Sequence, residues 1–139
     1  MGCEWRRQRE FNEPRGVALS SDGSVFVVDM GNERIQKFTS EGVFVSQWGT
    51  EGTGGTGDGE FNFPMGVAVA SDGSVYVSNT GNNRIQKFTS ESVFVSKWGT
   101  NGTGDGEFDW PRSLTVASDG SVYVSDTGNN RIQKFSQVQ

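Results

Sequence analysis

One motif occurs three times in this chain, and that repetition limits the fold more than any other feature. Phe11-Asn12-Glu13-Pro14-Arg15-Gly16-Val17-Ala18 recurs as Phe61-Asn62-Phe63-Pro64-Met65-Gly66-Val67-Ala68 and again as Phe108-Asp109-Trp110-Pro111-Arg112-Ser113-Leu114-Thr115. The offsets are 50 and 47 residues, and between 61–88 and 108–135 only 7 of 28 positions differ. Such likeness points to recent duplication or engineering. It also gives each copy nearly the same neighbours.

Each copy reads as a run of short strands. Val67-Ala68-Val69-Ala70 is followed by Ser71-Asp72-Gly73-Ser74, whose Asp-Gly suits a tight hairpin because glycine tolerates positive φ. Val75-Tyr76-Val77-Ser78 forms the second strand, Thr80-Gly81-Asn82-Asn83 a turn, and Arg84-Ile85-Gln86-Lys87-Phe88 the third. A Thr-Ser-Glu turn leads to the fourth, ending at Trp98. No stretch of useful length has helical apolar spacing. Alternation in Val25-Phe26-Val27-Val28 puts apolar residues on both faces, so both faces need cover. Blades stacked around an axis supply it.

The segments Pro-x-Gly-Val-Ala-x-x-x-Asp-Gly-x-Val-x-Val, Gly-Asn-x-Arg-Ile-Gln-Lys-Phe and Phe-x-x-x-Trp-Gly resemble the NHL repeat, and the resemblance covers nearly all of residues 11–135. Where that pattern often has His, this chain has Glu33, Asn83 and Asn130, and Ser113 stands where it prefers Gly. The resemblance implies an all-β propeller, commonly six-bladed. It also implies binding of proteins, peptides or RNA, with a few enzymes among the relatives.

Propellers usually have four to eight blades. Three would leave two apolar faces in water, and such patches mark interaction sites. The expected architecture is therefore a six-bladed ring made by a homodimer of three-bladed chains. Residues 11–60 form blade 1 with its connector, 61–107 blade 2 with its connector, and 108–139 the first three strands of blade 3. Residues 1–10 are an N-terminal segment. Fourth strands are expected at 43–48 and 93–98, both ending in Trp, whereas the third copy stops after Phe135 without one. Residues 2–5, with Cys3, Glu4 and Trp5, are expected to complete the partner's third blade beside Phe135, closing the ring and covering an edge strand. The alternative is that Trp5 belongs to a disordered leader or a fragment boundary.

Asp29, Asn79 and Asp126 end the second strands, and Arg34, Arg84 and Arg131 begin the third strands five residues later. They are expected to pair structurally across the turn; the functional alternative is a ring of charge offered to a ligand. The face with the variable loops 49–60 and 99–107 carries Glu13, Phe63 and Trp110, together with Arg15, Met65 and Arg112. These positions differ between otherwise similar copies, and loops on a rigid scaffold often bind. Arg15 and Arg112 are the favoured ligand contacts, with Met65, Phe63 and Trp110 as further candidates. For Phe63 and Trp110 the preferred reading over ligand contact is filler in the seam between blades.

Composition narrows the function. The chain has no histidine and one cysteine, so histidine-based triads, His-ligated metals and internal disulfides drop out. Twelve basic against 17 acidic residues give a net charge of −5, which disfavours a broad nucleic-acid surface. Arg6, Arg7 and Arg9 are the only basic cluster. Gly2-Cys3 resembles acylated amino termini, but Arg6 stands where myristoylation needs Ser or Thr. The glycine-rich segment 49–59 lacks a Gly-Lys-Ser/Thr ending, and Asp58 with Glu60, or Asp105 with Glu107, makes at most a weak calcium site. No cofactor, metal, nucleic acid or membrane is expected. Without a visible signal peptide the expected location is cytoplasmic. The reading is a non-catalytic scaffold that self-associates and presents its loop face to a protein or peptide. The alternatives are an engineered or amplified assembly unit with no other ligand, and a family-type enzyme or RNA binder.

Overall fold

The structure is a computed structural model, and it describes residues 10–49 and 56–136. The expected closing strand at 2–5, with Cys3, Glu4 and Trp5, and the basic cluster Arg6, Arg7 and Arg9 lie outside these residues. The described chain is all-β apart from three single 3-10 turns. Blade 1 contains β1 (Pro14–Leu19), β2 (Val25–Asp29), β3 (Arg34–Phe38) and β4 (Phe44–Trp48). Blade 2 contains β5 (Pro64–Val69), β6 (Val75–Asn79), β7 (Arg84–Phe88) and β8 (Phe94–Trp98). Blade 3 contains β9 (Pro111–Val116), β10 (Val122–Asp126) and β11 (Arg131–Phe135). Each blade is an antiparallel meander in chain order, with four, four and three strands among the described residues. Two blades are four-stranded, and the third holds the three strands that the sequence places in 108–139, with β11 an edge among the described residues.

Register follows from the turns. Asp22-Gly23, Asp72-Gly73 and Asp119-Gly120 close the first hairpins; Asp22 Oδ1 accepts the Ser24 N–H, as Asp72 and Asp119 do for Ser74 and Ser121. Gly23, Gly73 and Gly120 take φ near +90° there, which glycine adopts without Cβ strain. Between second and third strands the expected turn is a 3-10 turn, at Met30–Asn32, Thr80–Asn82 and Thr127–Asn129. Each is capped by a left-handed residue: Glu33, Asn83 and Asn130, with φ of 55°, 54° and 55°. This turn sets the end-to-end register Asp29–Arg34, Asn79–Arg84 and Asp126–Arg131.

Apolar residues on both sheet faces build two cores, each in a seam between blades. In the first seam Phe26, Val28, Met30 and Ile35 of blade 1 meet Val67, Val75, Val77 and Phe88 of blade 2, with Phe61. In the second, Tyr76 and Ile85 of blade 2 meet Val122 and Val124 of blade 3, with Phe108. Trp48 packs on Phe88 and Trp98 on Phe135, with ring centroids 5.5 and 5.4 Å apart. A fourth strand therefore buttresses the following blade as well as its own. The first strands approach most closely. A Cβ on Gly16 would lie 2.8 Å from the Met65 carbonyl oxygen, and one on Gly66 would lie 2.6 Å from that of Arg112.

Candidate functional site

The loop face is assembled from the entries to β1, β5 and β9. Glu13, Phe63 and Trp110 each precede a strand-opening proline and hold positive φ of 56°, 53° and 60°. Left-handed backbone is uncommon for residues with a Cβ, and more so for bulky ones. All three copies share the bend while the side chain changes, so the scaffold holds the backbone and the sequence varies what it displays. Phe63 and Trp110 meet across the second seam with ring centroids 5.8 Å apart, and Asn83 Oδ1 accepts the Trp110 N–H at 2.8 Å. Phe63 still leaves nearly half its surface in solvent.

Two residues on, Arg15 and Arg112 are exposed, whereas Met65 is half-buried against the first seam core. Neither arginine forms an ion pair among the described residues. The three candidates therefore divide: two free cations and one seam residue.

Behind this face lies a repeated polar hub. Asp29 Oδ1 accepts the Asn12 N–H at 2.7 Å, while Oδ2 accepts from Asn32 Nδ2 at 2.9 Å, Arg34 Nε at 2.7 Å and Gln36 Nε2 at 3.2 Å. Asp126 repeats the set with the Asp109 N–H, Asn129, Arg131 Nε at 2.8 Å and Gln133. Both aspartates are fully buried. Burial alone would raise the Asp126 pKa; the hydrogen bonds from Asn129, the Asp109 N–H, Arg131 and Gln133 outweigh it and hold the carboxyl below its usual value.

Blade 2 departs from this pattern. Asn79 Oδ1 accepts the Asn62 N–H and its Nδ2 donates to the Glu60 carbonyl, leaving buried Arg84 Nε without a partner. Burial lowers the Arg84 pKa against the opposing pull of Asp58 and Glu60. The rest of each guanidinium clamps the incoming connector. Arg84 donates to the carbonyls of Thr56, Gly57 and Glu60, and Arg131 to those of Thr103, Gly104 and Glu107. Gln86 and Gln133 add bonds to the same Glu60 and Glu107 carbonyls and accept the Gly59 and Gly106 N–H groups. Sequence reasoning missed these glutamines, although Gln is invariant among the three Arg-Ile-Gln-Lys-Phe copies. The hub is consumed internally, and its carboxylates do not reach solvent.

Two clefts open elsewhere. One of about 550 Å³ lies between the 56–57 connector and the end of β8, lined by Asn82, Arg84, Lys97 and Trp98. Another, about 800 Å³, runs along β11, an edge among the described residues, between Val95, Lys97, Trp98, Lys134 and Phe135. None of the described residues that line the two clefts is a carboxylate. Among the described residues no three His, Cys, Asp or Glu side chains gather as a metal site. Asp58 instead pairs with Lys97 at 2.7 Å in solvent, and Glu60 and Glu107 fold back onto the N–H groups of Gly57 and Gly104.

No curated protein sequence matches the chain. Solved structures do match in fold. The virginiamycin B lyase of Staphylococcus aureus is 16% identical with a TM-score of 0.62, over 94% of this chain and 44% of that one. Hydrazine synthase of Kuenenia stuttgartiensis is 14% identical with a TM-score of 0.62, over 94% and 38%. A Bacteroides thetaiotaomicron protein of unknown function is 18% identical with a TM-score of 0.74, over 88% and 34%. The chain spans less than half the length of each. The NHL repeat model matches at residues 11–38, 61–88 and 108–135, more than half of the sequence. The pattern of Pro-opened first strands, Asp-Gly hairpins and Arg-Ile-Gln-Lys-Phe third strands is therefore a family signature, and the chain belongs to the NHL-repeat family.

Proposed function

We propose that this chain is a non-catalytic propeller scaffold that self-associates into a closed ring and presents its loop face to a protein or peptide. The ring is a six-bladed homodimer. The observation that carries this reading is the unequal exposure of equivalent residues. Val17 on β1 is 66% exposed and its counterpart Val67 on β5 is 7% exposed; Ile132 on β11 is 66% exposed and its counterparts Ile35 and Ile85 are fully buried. Residues selected for a seam thus stand open at both ends of the fan, and covering them is favourable at about 25 cal/mol per Å² of apolar surface.

Sedimentation velocity tests the ring. A particle of twice the 15.1 kDa chain mass supports it, and a monomer at tens of micromolar rejects it. Exposed Arg15 and Arg112, on a chain of net charge −5, favour an acidic peptide as the ligand class. Fluorescence anisotropy with a poly-glutamate peptide reads this directly. Arg15→Ala with Arg112→Ala abolishes binding while leaving particle mass unchanged; unchanged affinity removes the arginines from the site. The near-identity of copies 2 and 3 favours the second reading, an amplified assembly unit without a further ligand, and absence of peptide binding by an intact ring selects it.

A further inference from the structure

The two seams inside the chain differ in chemistry, and the second is repeated at the chain's open ends. In the first seam blade 1 presents Val28 and Met30. In the second, blade 2 presents Ser78 and Thr80 at the same positions. Ser78 Oγ accepts the Gly66 N–H at 2.7 Å and donates across the seam to the Arg112 carbonyl at 2.6 Å. Thr80 Oγ1 donates to the Pro111 carbonyl, and Asn83 Oδ1 accepts the Trp110 N–H. Three polar groups of one blade thus bind the backbone of three consecutive residues opening the next.

Blade 3 carries the same set on its open face: Ser125, Thr127 and Asn130, with Ile132 in the place of Ile85. Ser125 Oγ, lacking a neighbour, turns back to its own blade, to the Ser113 carbonyl at 3.3 Å. The side chains of Thr127 and Asn130 are exposed and make no hydrogen bond among the described residues. At the other end, blade 1 opens with Glu13-Pro14-Arg15, all exposed, in the place of Trp110-Pro111-Arg112. A fourth contact follows the first seam. Lys37, over the Phe26 ring, donates to the Ser90 carbonyl at 3.0 Å; Lys134, over the Tyr123 ring, and Ser40 repeat these positions at the open ends.

Resting on the self-association proposed above, we infer that the open face of blade 3 docks onto β1 of a second copy as a directed seam, copied from the seam between blades 2 and 3. In it Ser125 and Thr127 donate to the Arg15 and Pro14 carbonyls of the second copy, and Asn130 accepts the N–H of its Glu13. Ile132 is buried beside Val17 and Leu19 of the second copy. The interface is heterologous, and a two-fold ring closes with two such seams.

One residue makes this seam looser than its template. Ser113 stands where Gly66 does, and a Cβ on Gly66 would lie 2.6 Å from the following blade's carbonyl oxygen. Real Cβ atoms do not approach so closely. The seam between copies therefore opens locally at Ser113, and that position sets how tightly the copies hold.

Sedimentation of the full chain over a concentration series tests the inference. Ser113→Gly tightens association about tenfold, as relief of an overpacked contact does. Val17→Asp and Ile132→Asp each abolish it, because every seam uses both faces. Both residues are two-thirds exposed in the single chain, so each variant retains the wild-type far-UV spectrum. Mixing the two variants restores a one-to-one pair through the single seam that has neither substitution. Failure to pair on mixing, or a Ser113→Gly variant no tighter than wild type, overturns the seam while leaving a wild-type dimer intact. A monomeric wild type overturns the self-association reading itself. Growth beyond two copies keeps the seam and overturns the closed ring.

Discussion

At the scale of single residues, the buried aspartate–arginine hubs show how one carboxylate oxygen is worth more than its Coulombic attraction. Asp29 Oδ2 and Asp126 Oδ2 each collect three donors in a site closed to water. Blade 2 is a natural deletion of this oxygen: Asn79 leaves Arg84 Nε buried and unpaired. An unmade hydrogen bond of a buried charged donor costs about 1.5–3 kcal/mol. Asn79→Asp accordingly raises stability by about 1–2 kcal/mol at pH 7, after the loss of the Asn79 amide bond to Glu60, as a higher urea midpoint checks. The reverse change, Asp126→Asn, lowers stability by about 1.5–3 kcal/mol at pH 7. Because the folded-state pKa of Asp126 lies below the ordinary 3.8, its contribution is full above that value and is lost as pH falls through the folded one. Urea midpoints of Asp126→Asn and wild type therefore converge in strong acid.

At the scale of elements, the strand-one glycines govern how closely blades pack. Gly16 and Gly66 let β1, β5 and β9 converge where a Cβ would strike the next strand's backbone. Gly66→Ala forces the second seam apart and costs about 1–3 kcal/mol, measured by urea unfolding. Gly66 has ordinary φ, so the cost is one of packing and not of conformation. This role was half legible in sequence. The motif marks Gly16 and Gly66 as special, and Ser113 as an exception, but which neighbour each glycine faces depends on the stacking of sheets. The connectors carry a related lesson. Read alone, 49–59 is a glycine-rich connector and 99–107 a variable loop, yet carbonyls at 56, 57 and 60, and at 103, 104 and 107, are clamped by Arg84 and Arg131. Local composition did not announce that clamp, because its arginines come from a third strand about 25 residues later.

At the scale of the whole molecule, the fan formed by the described residues presents one apolar face at each end, with Val17 and Leu19 on one and Ile132 on the other. Association that occurs only in the folded state adds to stability through mass action. The midpoint of thermal unfolding is therefore expected to rise with protein concentration, by several degrees over a hundredfold range, as calorimetry at 1 and 100 micromolar checks. A constant midpoint rejects ring assembly as a source of stability.

The all-β character, the strand order within a blade, the Asp-Gly hairpins and the Asp–Arg spacing were readable from the chain itself. They rest on contacts within some 25 residues, and repeats state such contacts three times. The sequence also signalled that three blades leave surfaces unfilled. What the tertiary structure alone decided is how equivalent residues divide their tasks. Met65 enters a seam while Arg15 and Arg112 stay exposed, Phe63 reaches Trp110 across a seam, and Ser78 spends its hydroxyl on the next blade while Ser125 turns back on its own. Identical side chains receive different partners because a residue's environment in a stacked fold is set by the neighbouring blade, and among the described residues no blade follows the third.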